Sequence, residues 1–235
     1  MIKNELEGRG QVLQSQLLAQ SAGVCHYCSL RVSIDPERDV WMPHQVHGTQ
    51  IVVLDAQSAQ GPVPEADAVI CRQQGQWIGV RTADCVPVLL YDPEARVVAA
   101  VHAGWRGTVK HIVRLTLERM VAELGCRPAG MLAMIGPSIS PEAFEVGEEV
   151  AQAFIEAGRG ECVLRNLWGP RGRQSLVKPH VDLWQSNVMD LLEGGLELQN
   201  IDCTPWCTYQ HHDQLFSARR EGIGTGRIVS AICLR

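Results

Sequence analysis

Two apolar runs joined by a short turn constrain the fold of this chain more than any other feature. Val86–Tyr91 and Arg96–His102 carry the branched and small apolar residues that are typical of strands. The residues between them, Asp92-Pro93-Glu94-Ala95, include Asp and Pro, which favour turns. The pattern predicts a β-hairpin, and therefore a sheet that is antiparallel at least in part.

Other segments have the composition of strands or the apolar spacing of helices. Further strands are predicted at Ile51–Leu54, Ala66–Cys71, Trp77–Arg81, Met131–Ile135 and Arg227–Leu234, with a turn at Gln74-Gly75. Helices are predicted from Val109 to Leu124, with Thr108 as N-cap and Gly125 as the stop, and at Gly147–Ala157 and Val181–Glu193. Because strands and helices do not alternate strictly, the sequence predicts an α/β or α+β fold with mixed β-sheets.

Length, charge and cysteine content narrow the class of protein. The 235 residues fit a single domain over residues 1–235, in which the segment Arg159–Pro179, rich in Gly, Pro and Arg, is predicted to be a mobile loop. A net charge of −5 argues against a nucleic-acid partner. Met1–Gln20 is polar and no apolar run reaches ~20 residues, so we expect no signal peptide, no membrane span and a cytoplasmic location. The nine cysteines have scattered spacing, and most are expected to be reduced, buried thiols.

Three short segments carry residues that are suited to chemistry. They contain His47, Cys85 and His102, each at a strand end or in a turn beside Gly or Pro. Two imidazoles and one thiolate suit zinc, with water as the fourth ligand. The same trio suits a cysteine nucleophile flanked by histidine bases, and both interpretations stay open. In either case we expect the three side chains to meet in one catalytic or metal-binding site.

These segments, taken in order, resemble the laccase-domain (YfiH-like) family. The resemblance rests on Pro43–Gly48, Thr82–Pro87 and Val101–Gly107, and on Ala66-Asp67-Ala68, Ile135–Ile139, Phe144–Gly147, His180–Trp184, Cys207-Thr208-Tyr209 and the Phe216–Arg220 segment. It runs from about residue 40 to the end of the chain. Three positions depart from the family pattern, namely His44, Ala218 and Glu221. They leave the site intact but put the substrate preference in question.

The resemblance implies a fold, a metal and an activity. The family has layered mixed sheets flanked by helices, in the order α/β/β/α. Its zinc-binding His, Cys and His correspond to His47, Cys85 and His102. Its members are named as polyphenol oxidases or as purine nucleoside phosphorylases that act on adenosine, inosine, guanosine and methylthioadenosine, with adenosine deamination beside them. The implied partners are a purine nucleoside and phosphate, and the expected assembly is a monomer or homodimer.

Further residues are weaker candidates for binding roles. Asp84 could orient a histidine, accept a hydrogen bond from the ribose of a substrate, or cap a turn. Arg106, at the predicted start of a helix, could bind phosphate, and so could Arg220 with its neighbour Arg219. Cys25-His26-Tyr27-Cys28 could form a structural zinc site only with a second pair drawn from Cys203, Cys207, His211 and His212, which we consider the weaker alternative to buried thiols. His111 and His180 are expected to be structural.

Three other functions compete with nucleoside phosphorolysis. Copper-dependent oxidation of phenols would use the His2Cys set, but a multicopper oxidase needs more histidines, and this chain has eight in all and no His-x-His pair. Hydrolytic editing of cell-wall precursors through Cys85 is another alternative that the family implies. A zinc-binding interaction module without turnover is the third.

Overall fold

The computed structural model describes residues 1–55, 61–165, 178–203 and 206–235. Its strands are β1 (Ile2–Leu6), β2 (Gly10–Gln14), β3 (Val24–Ser29), β4 (Val40–Trp41), β5 (Ile51–Leu54), β6 (Ala68–Cys71), β7 (Trp77–Thr82), β8 (Val86–Asp92), β9 (Val97–Ala103), β10 (Leu132–Ile135), β11 (Val163–Leu164), β12 (His180–Val181), β13 (Ile201–Cys203) and β14 (Ile228–Leu234). Its helices are α1 (Gln16–Ala19), α2 (Trp105–Thr108), α3 (Ile112–Leu124), α4 (Glu148–Glu156), α5 (Leu183–Glu193) and α6 (Ala218–Glu221).

The strands form two six-stranded sheets and one small pair. The first sheet has the order β1-β2-β3-β14-β7-β4, and the second has the order β13-β10-β8-β9-β6-β5. Both are mixed, because β4 pairs with β7, β5 with β6 and β13 with β10 in parallel, while the other pairs are antiparallel. The expected α/β fold with mixed sheets is therefore confirmed, as is the hairpin of β8 and β9.

The central strands bury both faces, which explains their continuous apolar sequence. Alternate residues of β6, β8 and β9, such as Val88 and Val101, pack with α3 and α5 in one apolar cluster. The residues between them, such as Leu89 and Ala100, pack with β7 and β14 of the first sheet in a second cluster. Burial of each large side chain contributes roughly 1.5–3 kcal/mol. The second sheet is thus held between the helices and the first sheet.

The structure corrects the predicted start of the long helix. Thr108 is not an N-cap, because it lies inside the short helix α2. His111 follows with a left-handed φ of 57°, and this residue separates α2 from α3. The imidazole Nδ1 of His111 lies 2.9 Å from a carboxylate oxygen of Asp190 on α5, a long-range contact that fixes the break. The helix ends as predicted, with Gly125 at a φ of 70°.

The remaining predictions concern one turn, one loop, the number of domains and membrane spans. The turn at Gln74-Gly75 is present, but it carries the chain from the second sheet to the first instead of closing a hairpin. Most of the predicted loop Arg159–Pro179 lies outside the described residues, and its first part holds a 3-10 turn and β11. The single domain over residues 1–235 stays a prediction. No helix in the described ranges is both long and apolar enough to span a membrane.

Candidate active site

The loop that carries His47 is fastened to the first sheet by one glutamine. The side-chain amide of Gln45 donates to the carbonyl of Arg81 at 2.8 Å, and its oxygen accepts from the backbone N–H of Arg81 at 2.8 Å. The amide therefore imitates a strand partner at the edge of β7. This pairing holds the loop beside the residues that lead from β7 to Cys85.

A fully buried carboxylate, that of Asp67, joins two parts of the site. Its Oδ1 accepts from the backbone N–H of His47 at 2.9 Å and from Nδ1 of His102 at 2.7 Å. Its Oδ2 accepts from the N–H groups of Gly48 at 2.6 Å and Val46 at 3.3 Å. Asp67 thus shapes the His47 turn, where φ is +59°, and fixes the His102 tautomer so that Nε2 faces away from the carboxylate.

Cys85 follows a residue in a strained backbone conformation. Asp84 has a φ of +90°, which a residue with a side chain rarely adopts. The Asp84 carboxylate accepts from the hydroxyl of Thr208 and from the backbone N–H of Arg219, each at 2.6 Å. Its own carbonyl accepts from the N–H of Ile139 at 3.0 Å. These contacts hold the turn that presents the Cys85 thiol at the start of β8.

The three predicted residues do meet. The ligand atoms of His47, Cys85 and His102 all lie within 4.8 Å of one another, and Cys85 Sγ is 4.0 Å from Nε2 of His47. The two imidazole rings are in edge-to-face contact, with centroids 4.8 Å apart. No other group of three or more His, Cys, Asp or Glu side chains with such spacing occurs in the described part of the chain.

Because residue 104 is a glycine, no side chain from this position fills the space between His47, Cys85 and His102. A Cβ at this residue would lie 3.1 Å from Cys85 Sγ, 3.2 Å from Cδ2 of His47 and 3.8 Å from Cε1 of His102. Any side chain there would compete for the volume between the three potential ligands. The glycine, the soft thiolate and the two imidazoles together fit a metal ion such as zinc, with three protein ligands and one open position.

The charges of the site favour a thiolate. Burial alone would raise the pKa of Cys85, but hydrogen bonds and charge from His102 and His47 lower the pKa to about 6. Burial alone would lower the pKa of His102, but Asp67 and Cys85 raise the pKa to about 9. The pKa of Asp67 lies below its usual value, because hydrogen bonds from His102 and Gly48 outweigh the effect of burial. Without a metal, the site holds an imidazolium–thiolate pair at neutral pH.

The cluster lies in a cleft of about 820 Å³. The described residues that line the cleft are Met42, Pro43, His44, Gln45, His47, Val63, Arg81, Thr82, Ala83, Cys85, His102, Ala218, Ile223 and Arg227. This lining includes two arginines and no carboxylate. A small polar or anionic substrate could therefore reach the thiol from this side.

Comparison with known proteins places the chain in a family. A family model described as a multi-copper polyphenol oxidoreductase laccase matches residues 25–235. The chain belongs to this laccase family. The match begins earlier than the resemblance found in the sequence, and it includes β3 of the first sheet from Cys25 onward.

Relatives of this laccase family carry other names. A protein of Bacteroides thetaiotaomicron named purine nucleoside phosphorylase is 42% identical over 82% of this chain and 72% of its own length. Adenosine deaminase RL5, from an unknown prokaryotic organism, is 37% identical over 87% of this chain and 78% of its own length. YlmD from Geobacillus stearothermophilus, at 22% identity, shares the fold with a TM-score of 0.80, over 99% of this chain and 98% of that one.

The other candidate residues lie outside the lining of the cleft. Asp84 uses both carboxylate oxygens on Thr208 and Arg219, as described above. Arg106 is exposed on α2, and its guanidinium lies 4.5 Å from the ring centroid of Trp105. Arg220 is exposed, and its Nη1 donates to the carbonyl of Tyr209 at 3.2 Å. Their roles in substrate binding stay predictions.

The Cys-x-x-Cys pair, its possible partners and His111 make contacts of a structural kind. The Cys28 and Cys207 thiols are buried and accept hydrogen bonds from Ser230 and Ser140. Together with Cys25 and Cys203 they form no metal-spaced group among the described residues. His111 contacts Asp190, as noted above. Buried thiols are therefore the better explanation of the Cys-x-x-Cys pair.

Asp67, Gln45 and Gly104 have roles that their sequence context does not predict, although all three lie in the segments that carry the family resemblance. Asp67 stands in the short segment Ala66-Asp67-Ala68, and Gln45 stands two residues before His47. A charged residue between alanines at the start of a buried strand is the signal that could have identified Asp67. Its partners are distant in sequence and could not be read from it.

Proposed function

We propose that this laccase-family chain is a purine nucleoside phosphorylase that acts on adenosine, inosine, guanosine and methylthioadenosine. The observation that carries the proposal is the cluster of His47, Cys85 and His102, supported by Asp67, in a cleft whose described lining has no carboxylate. The names of the relatives support the same activity. The partners are then a purine nucleoside and inorganic phosphate.

Phosphorolysis sets two demands on the site. A phosphate oxygen bonds to C1′ of the ribose as the bond from C1′ to N9 of the purine breaks, and the electron pair of that bond leaves with the base. Positive charge builds on the ribose and negative charge on the purine. The enzyme must hold an anion near C1′ and stabilise the leaving base.

The residues of the cluster can stabilise the leaving base. While no metal is bound, Asp67 keeps the His102 ring oriented and stabilises its positive form, so that Nε2 can donate toward negative charge in the cleft. His47, at the more exposed side of the cluster, adds a second imidazole to this metal-free arrangement. Cys85 completes the cluster as a thiolate. Binding in a partly closed cleft strengthens each of these interactions by excluding water.

Zinc is the metal that we infer for this site, with copper as the less favoured alternative. Nε2 of His102, the His47 imidazole and the Cys85 thiolate would hold it, and Asp67 would orient His102, as carboxylates commonly do for ligating histidines. When bound, the metal would supply a Lewis acid and an open coordination position for water or substrate. We further infer a cytoplasmic location, which the nine free cysteines support. A monomer or homodimer is the assembly that we propose.

Adenosine deamination is a second activity of the same site. It is favoured by the relative named adenosine deaminase RL5 and by the open side of the cluster at Gly104. Water would replace the amino group at C6 of adenine, and ammonia would leave. Both reactions bring a purine to the same three side chains.

Oxidation of phenols is not favoured despite the family description. A multicopper centre needs many histidines, and only His44, His47 and His102 line the cleft among the described residues. Hydrolysis of cell-wall precursors through Cys85 and metal binding without turnover have no observation of their own. Absence of base release in the following test would leave both of them open.

The test is release of the base from inosine by purified protein, with and without inorganic phosphate. We expect release to require phosphate and to yield ribose 1-phosphate. Cys85→Ala should abolish turnover, whereas Cys25→Ala, at a half-buried thiol on β3, should not change it. Equal release without phosphate, giving free ribose, would identify a hydrolase, and no release in either case would contradict the enzyme assignment for these substrates.

A further inference from the structure

We propose that Arg227 and Thr82 bind the phosphate co-substrate in the cleft beside Cys85. The inference rests on the proposed phosphorolysis and names the anion site that this reaction requires. Both residues line the same cleft as the cluster of His47, Cys85 and His102. The site differs from the one that the sequence predicted at Arg106, which does not line the cleft.

Strand pairing brings the two residues together. In the antiparallel pairing of β14 with β7, Ile228 lies opposite Thr82. Arg227, one residue before Ile228, therefore lies beside the turn that leads from Thr82 to Cys85. The two residues share one end of the first sheet, and Thr82 precedes Cys85 by three residues along the chain.

Arg227 offers a positive charge that no carboxylate neutralises within the described ranges. Its guanidinium donates to three backbone carbonyls, those of Thr225, Gly226 and Ile223. An arginine side chain has five N–H donors, so one at Nε and one at Nη2 stay without a partner in the described structure. Two neighbouring donors on one guanidinium match two oxygens of a phosphate. The three carbonyl contacts hold the group in place before a ligand arrives.

Thr82 provides an independent observation. Its side chain is 1% exposed, and its hydroxyl has no hydrogen-bond partner among the residues described. Most buried polar groups are hydrogen-bonded, because a buried hydroxyl without a partner is unfavourable. A phosphate oxygen in the adjoining cleft would accept from this hydroxyl and satisfy it.

The rest of the lining suits an anion. Arg81 adds a second positive charge, although the Glu37 carboxylate, outside the lining, offsets it through contacts of 2.6 and 2.7 Å. His44 contributes an imidazole from the loop that Gln45 fastens. No carboxylate lines the described cleft, and the negative charge of the Cys85 thiolate is offset by the neighbouring His102 imidazole, so the net charge of the lining does not oppose a dianion.

The proposal is tested by titrating wild-type protein and variants with inorganic phosphate in a calorimeter. Arg227→Gln should weaken phosphate binding about tenfold or more, on the scale of one lost charge-assisted hydrogen bond. Thr82→Val should weaken it several-fold while the melting temperature stays equal or rises, because valine removes an unsatisfied hydroxyl from a strand. The matched control is Thr116→Val on α3, whose hydroxyl donates only within its helix, and it should bind phosphate as the wild type does.

Kinetics separate this site from the proposed function. The KM for phosphate should rise in both cleft variants, and the KM for inosine should change little. If the wild type binds one phosphate, weakened in both variants, but yields no ribose 1-phosphate, then the anion site stands and the proposed reaction fails. If both variants bind phosphate as the wild type does, or if binding is lost only in Arg106→Ala, the proposal is wrong. Thr82→Val decides the matter even where Arg227→Gln fails to fold.

Discussion

Replacing Asp67 by Asn tests whether one buried carboxylate assembles the site. The carboxylate accepts four hydrogen bonds, two at each oxygen, from His102 and from three consecutive backbone N–H groups. An amide of the same shape has one accepting oxygen and one donating nitrogen. In either orientation its NH2 group would face two donors, so two hydrogen bonds would be lost and the donors left unsatisfied.

The cost follows from those contacts. Hydrogen bonds to a charged group contribute roughly 1.5–3 kcal/mol each. One of the four is long, at 3.3 Å, and removing a buried charge offsets part of the loss. We expect the free energy of unfolding to fall by about 2–4 kcal/mol, and metal affinity to fall about 10- to 100-fold, as for other partners of ligating histidines.

The assays are denaturant unfolding and metal titration of the metal-free protein. Asp92→Asn is the matched control, because the Asp92 carboxylate is also buried and accepts from the N–H groups of Glu94 and Ala95 in the hairpin turn and of Arg127 after α3. The control should lose stability but keep its metal affinity and turnover. If Asp67→Asn binds metal as tightly as the wild type does, Asp67 has no orienting role and the argument from its contacts fails.

Three further predictions follow from other parts of the structure. Cys85→Ala should remove metal binding and turnover at a stability cost of about 1 kcal/mol or less, measured by unfolding, because the thiol lies at a strand end; retained turnover would contradict the role of the thiol. Gly104→Ala should reduce metal stoichiometry while the fold persists, since its Cβ would lie 3.1 Å from Cys85 Sγ. The control Gly130→Ala, whose Cβ would meet no described atom within 4 Å, should have no effect. Equal stoichiometry in both variants would contradict a metal site between His47, Cys85 and His102. Burial, only partly opposed by Asp202, lowers the pKa of His26 to about 4, so the unfolded chain takes up a proton below pH 6.5 that the folded chain does not. Stability should therefore fall as pH drops from 6.5 to 4, by up to about 3 kcal/mol, and His26→Gln should show a smaller slope in chemical unfolding; equal slopes would contradict this.

Local sequence was sufficient where a structure depends on near neighbours. The hairpin of β8 and β9 was predicted because its turn residues and both apolar runs lie within one short segment. The end of α3 at Gly125 was predicted because a glycine can adopt a left-handed φ at little cost. His47, Cys85 and His102 were recognised as one site because each stands beside turn residues, and because the family resemblance links the three segments.

Tertiary structure decided the features that depend on distant partners. Whether β7 pairs with β6 or crosses to the other sheet depends on β14, which follows some 150 residues later and provides the antiparallel partner. The start of α3 depends on a contact between His111 and Asp190. Asp67 has its role because other segments bring hydrogen-bond donors to its carboxylate. Thr82 has its role because no described segment brings a hydrogen-bond partner to its hydroxyl. The sequence by itself determined which residues can react and which can be buried, whereas the hydrogen bonds and charges around each of them follow only from long-range packing.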